Sequence, residues 1–408
     1  MSSDRPLHTP KTTPMVSVII PVYNGATVLD RCLQSVCTQY ERQIEVLCVD
    51  DGSTDQSFAV LNAWAELDPR IRVFRQANGG PGRARNLALG KACGRYLAFV
   101  DCDDEVVPDI WTKSLAVAEA QQVDMVLFNP EIIDEATGNV LDDRQSQLRL
   151  PERCYHAPFT WRGIGRSPFD TCCYPPTRII RRDFWGTRRF PEDHHYEDAA
   201  LHFDCFFSAR AIGALPQRLY RYRTHADSRV HRADDCIFDH LKIIQEVAEL
   251  LRSKQLFDAL QPDFLHYAAT LFVRMHQLSP GGEICNRLST WLTTSPQRDW
   301  LWVLGDQFVQ RVRHAILQGD TRYLENPYNL YTEDCRTLTI GVFLRKVLPF
   351  HRVIKALCPY GLMTLWLNKR YGLPLPSLNG NNGRWAYSVA LNVLPYGVVC
   401  RWRPPTGV

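Results

Sequence analysis

The stretch GRYLAFVDCDDEVVP, residues 94–108, runs from an apolar segment directly into a cluster of acids. Its apolar part, YLAFV, is rich in residues that favour strands. Asp101, Asp103, Asp104 and Glu105 then follow within five positions. Because neighbouring carboxylates repel one another, such a cluster lowers stability unless positive charge offsets it. The stretch therefore predicts a buried strand whose carboxyl end carries a charged site.

Similar apolar runs recur on both sides of this stretch. They occupy residues 16–22, 45–50, 71–74, 96–100 and 124–128, and segments with helical spacing of apolar residues lie between them. Short, continuously apolar strands separated by helices are typical of a mostly parallel sheet that is covered on both faces. Ligands bind beyond the carboxyl ends of the strands in such sheets, and polar residues follow three of these runs. We therefore predict an α/β fold with its site at that edge.

Length and composition allow more than one domain. The chain has 408 residues, 45% of them hydrophobic, and a formal net charge of +3, which by itself indicates no partner. Its 14 cysteines are scattered without a CxxC pair, and the polar start has no signal-peptide pattern, so reduced thiols in a cytosolic protein are expected. We predict a flexible tail over 1–14, the α/β domain over 15–235, a helical domain over 236–334 and a basic segment over 335–408.

The acids that follow the fourth apolar run admit two interpretations. One is a solvated loop whose aspartates cap the next helix. The other is a ligand site, because Asp101 and Asp103 are hard oxygen ligands separated by one residue. Such ligands suit Mg²⁺ or Mn²⁺, which keeps several waters and binds substrate phosphates together with one or two carboxylates. A cation would also relieve the repulsion among the acids, so we expect a cation and a diphosphate at this site.

Four motifs, VSVIIPVYN, VDDGSTD, NGGPGRARN and YLAFVDCDD, occur in this order between about residues 15 and 104. Together they resemble the family 2 glycosyltransferases, and further similarity extends to about residue 230. The resemblance implies a GT-A fold, which is Rossmann-like with a mostly parallel sheet. The helical pattern after about residue 236 predicts that a helical C-terminal region follows it. The resemblance also implies transfer of a sugar from a nucleotide diphosphate donor to an acceptor hydroxyl, with inversion.

The resemblance implies roles for residues at the first two strand ends. Pro21 and Tyr23 would contact the uracil and the ribose of a UDP-sugar. Asp51 would accept a hydrogen bond from the base. For Pro21 and Tyr23, the alternative is an ordinary turn. For Asp51, the alternative is that its neighbours Asp50 and Ser53 only stabilise the turn in which they lie.

The third and fourth motifs carry the remaining donor roles that the family pattern implies. Arg83 would lie near the base or the diphosphate, and Asn86 would support the site. Asp101 would contact the ribose, Asp103, the last acid of the DxD motif, would bind Mn²⁺ or Mg²⁺, and Asp104 would support them. The glycine-rich segment before them is not a phosphate-binding P-loop, because it lacks the GK[ST] ending.

A second acidic pair lies in HHYEDAALHFD, residues 194–204. Helical spacing of apolar residues places Glu197 and Asp198 in the first turn of a helix, where the helix dipole stabilises carboxylates. The alternative is a pair that only caps this helix. The pair matches the catalytic acids of the family, so we predict Asp198 as the general base and Glu197 as its acceptor-binding partner. His194 and His195 lack zinc-ligand spacing and are expected at the surface or beside the acceptor.

The segment LYRYRTHADS alternates as a strand, with tyrosines on one face and arginines on the other. The resemblance implies that Arg221, His225 and Ser228 close over the diphosphate and that His225 joins the metal. Solvated charges on an edge strand are the alternative.

The last segment, 335–408, contains no Asp or Glu but ten Lys and Arg residues, interleaved with apolar and aromatic side chains. This pattern favours contact with an anionic membrane surface, whereas its apolar content argues against a nucleic acid partner. We predict a cytoplasmic protein, peripheral on the inner face of the cell membrane, with a glycan or lipid-linked acceptor in bacterial cell-surface glycan synthesis. A metal-dependent nucleotidyltransferase and a non-catalytic sugar-nucleotide-binding protein are the alternatives.

Overall fold

A computed structural model of the chain divides into two compact units, Met1–Lys254 and Gln255–Val408. His225, Ser228 and the basic segment 335–408 lie outside the residues that the structure describes, so the predictions for them are not examined by it. The described residues are 13–141, 147–171, 174–224 and 238–278.

The first half of the large unit alternates strands and helices as the apolar runs predict. Its four strands pair in parallel in the order β3, β2, β1, β4, and the side chains of β1 and β2 are buried along their whole length. The elements are β1 (Val16–Val22), α1 (Leu29–Cys37), β2 (Ile44–Asp50), α2 (Ser57–Leu67), β3 (Ile71–Arg75), α3 (Gly80–Leu89) and β4 (Tyr96–Phe99).

The second half adds antiparallel pairs to the same sheet. Within the described residues, nine strands form one sheet in the order β3-β2-β1-β4-β8-β6-β9-β5, with β7 paired to β6. The elements are β5 (Glu105–Val106), α4 (Ile110–Gln121), β6 (Met125–Asp134), β7 (Val140–Leu141), β8 (Arg178–Arg181), α5 (Arg182–Trp185), α6 (Asp198–Ser208), β9 (Ile212–Thr224) and α7 (His240–Ser253).

The parallel pairing brings three strand ends to one edge, as predicted. Tyr23 follows β1, Asp51 follows β2, and Asp101 lies just beyond β4. The long strand β9 pairs in parallel with β6 and antiparallel with β5, in a register that sets Tyr220 opposite Val106. This register brings the end of β9 beside the acidic loop. The predicted α/β, GT-A arrangement of the large unit is thus confirmed.

One further helix, α8 (Phe257–Leu278), is described in the second unit. The rings of Phe257 and Phe264 on this helix are 5.8 Å apart. Among the described parts of the chain, no helix is both long enough and apolar enough to cross a lipid bilayer.

Candidate active site

The acids after β4 form a tight turn anchored by Asp104. The backbone N–H of Asp104 donates to the carbonyl of Asp101 at 3.1 Å, and the Asp104 side chain is fully buried. Its carboxylate accepts hydrogen bonds from the hydroxyls of Tyr174 (2.8 Å) and Tyr220 (2.7 Å) and from the backbone N–H of Arg223 (2.8 Å). Asp104 therefore fixes the conformation of the loop, whereas its predicted support of a donor site stays a prediction.

The electrostatics of this loop favour a bound cation. Burial, followed by the charges of Asp103 and Asp101, raises the pKa of Asp104 well above its ordinary value. Three hydrogen-bond donors contact the carboxyl of Asp104, whereas Asp103 is only half-buried. A divalent cation at Asp103 would offset the repulsion among the three acids, and carboxylate oxygens are the ligands it prefers. These residues fit such a cation, although no cluster of three or more His, Cys, Asp or Glu ligands occurs among the described residues.

A network of four charged side chains holds the outer side of the same loop. Arg31 of α1 contacts Glu105 (3.3 Å) and Glu135 (2.9 Å), and Arg223 of β9 contacts the same two acids at 2.6 and 3.0 Å. Arg31 also donates to the carbonyl of Asp103 at 3.3 Å. Because each charge has two opposite neighbours, the network fixes the backbone of Asp103 more firmly than an isolated surface pair does.

A buried arginine joins the two acidic clusters. The Nη2 atom of Arg85 lies 2.8 Å from Oδ1 of Asp101, and its Nη1 atom donates to Oε1 of Glu197. The guanidinium also lies over the ring of Phe190, 5.3 Å from the ring centre. Although burial alone would lower the pKa of Arg85, the charges of Asp101 and Glu197 raise it, so this side chain stays charged. The acids after β4 and the pair at α6 therefore meet at one guanidinium.

The sequence of α3 explains how Arg85 reaches this position. The buried face of the helix carries only small residues beside it: Gly82, Ala84 and Ala88. A Cβ at Gly82 would lie 2.3 Å from the carbonyl oxygen of Pro191, so only glycine allows the segment before α6 to approach so closely. This approach brings Glu197 within reach of Arg85.

Asn86, on the same helix, contacts the segment before α6 directly. Its Oδ1 accepts from the backbone N–H of Phe190 at 2.9 Å, and its Nδ2 donates to the carbonyl of Phe190 and to Oε1 of Glu192, both at 2.8 Å. These contacts hold the segment before α6 against α3. They involve the protein alone, so its role towards a nucleotide sugar stays a prediction.

Asp198 begins α6 and lies against an apolar wall. Together with Phe99, Trp185 and Phe190 it lines a small cavity of about 20 Å³, which has room for about one water molecule. Burial, followed by the negative charge of Glu197, raises the pKa of Asp198 to about 7, although Arg85 opposes this shift. A carboxylate with this pKa exchanges protons readily near neutral pH, which suits a general base.

Asp51, which follows β2, stabilises its own loop through hydrogen bonds within the protein. It accepts hydrogen bonds from Gln76 Nε2 (2.7 Å) and from the backbone N–H groups of Gly79 (2.9 Å) and Gly80 (2.8 Å). These bonds shape the turn into α3. Tyr23 nearby is 48% exposed, so its ring is accessible for stacking against a base. Contacts of Asp51 and Tyr23 with a nucleotide remain predictions.

The other predicted donor residues occupy different positions. Pro21 is buried within β1, and Arg83 is exposed on the first turn of α3. Arg221 lies on β9 and pairs with Glu131 at 3.2 Å, so its charge is directed to a neighbouring strand. Arg223, two residues further along β9, lies nearer the acidic loop, because its backbone N–H donates to Asp104.

The histidines before the acidic pair are not both at the surface, and a place beside the acceptor, the other predicted position, stays a prediction. The side chain of His194 is fully buried and forms an ion pair with Glu246 of α7 at 2.7 Å, whereas His195 is partly exposed and pairs with Asp239 at 2.9 Å. Glu246 provides the charge that makes burial of His194 favourable.

The sequence alone did not identify four residues that shape the site. Three of them have a signal in the sequence: Arg85 interrupts a face of small residues on α3, and two belong to the alternating segment of β9. The fourth, Tyr174, precedes β8 and meets them only in the fold. The four residues are Arg85, Tyr174, Tyr220 and Arg223.

Comparisons with known proteins show which family the chain belongs to. Residues 17–194 match the model for glycosyl transferase family 2. The chain is 31% identical over 193 residues to an uncharacterized glycosyltransferase of Haemophilus influenzae, which covers 47% of this chain and 72% of that protein. It is 29% identical over 244 residues to the uncharacterized glycosyltransferase YibD of Escherichia coli, with 59% and 71% covered.

A third relative is glycosyltransferase GlyG of Streptococcus pneumoniae, which is 28% identical over 217 residues, with 52% of this chain and 72% of that protein covered. The matched region contains the acidic loop and Arg85 and ends at His194, four residues before α6 begins. The chain belongs to the family 2 glycosyltransferases.

Proposed function

We propose that this chain transfers a sugar from a nucleotide diphosphate donor, a UDP-sugar, to an acceptor hydroxyl with inversion at the anomeric carbon. The contact of Arg85 with both Asp101 and Glu197 carries the proposal. It supports the proposal because it joins the acidic loop, which suits a cation that binds a donor diphosphate, to the acidic pair proposed for proton transfer. A single-displacement reaction needs both functions at one substrate.

In this mechanism Asp198 acts as the general base. Its carboxylate accepts the proton of the acceptor hydroxyl while the hydroxyl oxygen attacks the anomeric carbon from the face opposite the diphosphate. The bond between that carbon and the diphosphate oxygen breaks, and its electron pair leaves with the nucleotide diphosphate. Glu197, which Arg85 contacts, is proposed to orient the acceptor. The pKa of Asp198, raised to about 7, makes it a stronger base than an ordinary carboxylate.

The leaving diphosphate carries negative charge that the acidic loop alone would repel. Asp103 would hold Mn²⁺ or Mg²⁺, with His225 as a further proposed ligand from outside the described residues. When bound, the cation stabilises the charge on the departing diphosphate. Arg221 and Ser228 are proposed to contact the same diphosphate, and Asp101 the ribose.

A donor panel tests this proposal. UDP-, GDP- and dTDP-sugars are added with Mn²⁺, and the rise in melting temperature identifies the donor that binds. We expect a UDP-sugar to give the largest rise, transfer assays to release UDP, and EDTA to stop that release. Release of pyrophosphate would instead indicate a nucleotidyltransferase, and binding without any product would indicate a binding protein.

We also propose that the acceptor is a lipid-linked or polysaccharide glycan of the bacterial cell surface and that residues 335–408 bind an anionic membrane. The ten basic residues of this segment and its lack of acids support the proposal. Deletion of residues 336–408 is expected to abolish co-flotation with vesicles containing anionic lipid while leaving donor binding intact. Equal flotation of the full and shortened chains would contradict membrane binding.

A further inference from the structure

The segment that leads into α6 adopts a strained conformation next to the proposed base. We name residues 190–197 the catalytic loop. Tyr196, which directly precedes Glu197, has a φ of 59°, in the left-handed region that side chains other than glycine rarely adopt. Such a conformation persists only where the surrounding structure holds it. The orientation of Glu197 and Asp198 therefore depends on what holds the catalytic loop.

An ion pair between the buried His194 and the partly exposed Glu246 of α7 holds the middle of the catalytic loop. The Nε2 atom of His194 lies 2.7 Å from Oε1 of Glu246, and its Nδ1 atom lies 2.8 Å from the carbonyl oxygen of His195. Although burial favours a neutral ring, the hydrogen bond to Glu246 raises the pKa of His194 to about 9. The ring is therefore charged at neutral pH, and both of its nitrogens act as donors.

Further contacts from the start of α7 secure the same loop. Both the backbone N–H and Nδ1 of His195 lie 2.9 Å from Oδ2 of Asp239, and Nζ of Lys242 donates to the carbonyl of Asp193 at 3.0 Å. The ring of Tyr196 itself packs against the ring of His240, with centres 4.2 Å apart. The strained residue and both of its histidine neighbours are thus all fixed by α7.

We propose that Glu246 and Asp239 are positioning residues that set the orientation of Glu197 and Asp198 for sugar transfer. Asn86 of α3 holds the start of the catalytic loop, and α7 holds its end, so the loop is fixed from two sides. Helix α7 begins at His240, beyond the residues 17–194 that match the family. This inference rests on the proposed function, because it assigns the helix a role in that same reaction.

The double variant Glu246→Gln/Asp239→Asn tests the inference, with Glu249→Gln as the matched control. Glu249 lies on the solvent side of α7 and accepts from Gln245 of the same helix. We expect kcat of the double variant to fall by about 10- to 100-fold, because small displacements of reacting groups have effects of this size. The affinity for UDP with Mn²⁺ should change less than twofold, and each single variant should show an intermediate kcat.

The inference is overturned if kcat of the double variant equals that of Glu249→Gln. It is also overturned if UDP affinity or the folded fraction at the assay temperature falls in proportion to kcat, because the role would then be structural only. Measuring Asp198→Asn in parallel separates the two proposals. If Asp198→Asn retains turnover, the assignment of the base is contradicted. If Asp198→Asn loses turnover while the double variant of Glu246 and Asp239 stays fully active, only the role of α7 is contradicted.

Discussion

Replacing Asp198 with asparagine is expected to lower kcat by about a thousandfold, because the reaction loses its proton acceptor. The variant keeps the shape of the side chain at the start of α6, so the contact of Arg85 with Glu197 should persist. Donor affinity, measured by titration with UDP and Mn²⁺, should therefore change by no more than about twofold. This change is small, because a tenfold change in affinity corresponds to about 1.4 kcal/mol of binding free energy.

Asp183→Asn is the matched control for this variant. Asp183 lies on α5, outside the catalytic loop, and its side chain is 76% exposed, with Arg181 2.6 Å away. Its replacement removes the same charge without changing the proton acceptor, so kcat should match that of the wild type. Wild-type turnover by Asp198→Asn would show that another group removes the proton.

The pH dependence of the wild type should reveal the same carboxyl. The pKa of Asp198 is raised to about 7, so the group is protonated and inactive as a base below that pH. We expect kcat/KM to rise with pH through about 7 and to level off above it. In Asp198→Asn this rise should be absent from whatever activity remains.

The parallel half of the fold could be predicted because its strands are continuously apolar. Both faces of β1 and β2 are buried, so their residues need no alternation, and each strand is followed by a turn. Strand β8 was harder to recognise, because its four residues include two arginines whose partners come from distant segments. Arg181, for example, pairs with Asp124 at 2.7 Å. No local pattern signals that such a strand enters the sheet between β4 and β6.

The parts of the site that consist of residues adjacent in the sequence could be predicted, whereas the parts that depend on packing could not. The acids after β4 and the pair at α6 stand together in the sequence, and the fold brings both to Arg85. Arg85 itself resembles an ordinary helical arginine, because charged residues on helices usually face solvent. Its burial follows from the close approach at Gly82, which only the folded chain reveals.

Replacing Arg85 with glutamine is expected to destabilise the protein and to remove activity together. Removing one partner of a buried ion pair typically costs about 3–5 kcal/mol, because the remaining charge stays buried without compensation. In this case Asp101 and Glu197 would both lose their shared cation. We expect kcat to fall about a hundredfold or more, because the two acidic clusters no longer keep their relative positions.

Arg95→Gln provides the control, because Arg95 pairs with Glu119 at the surface, where its side chain is 47% exposed. An exposed pair contributes about 0–1 kcal/mol, so urea unfolding should separate the two variants clearly. If both lose the same stability, Arg85 does not hold a buried charge cluster.

A second substitution tests the charge balance around Arg85. Without the guanidinium, Asp101 and Glu197 would both lose the cation that they share. Adding Glu197→Gln to Arg85→Gln should restore part of the lost stability at neutral pH, because it removes one of the two uncompensated charges. It should not restore kcat, because the link between the donor acids and the catalytic loop is still missing. Recovery of turnover in the double variant would mean that Arg85 only neutralises charge and does not connect the two halves of the site.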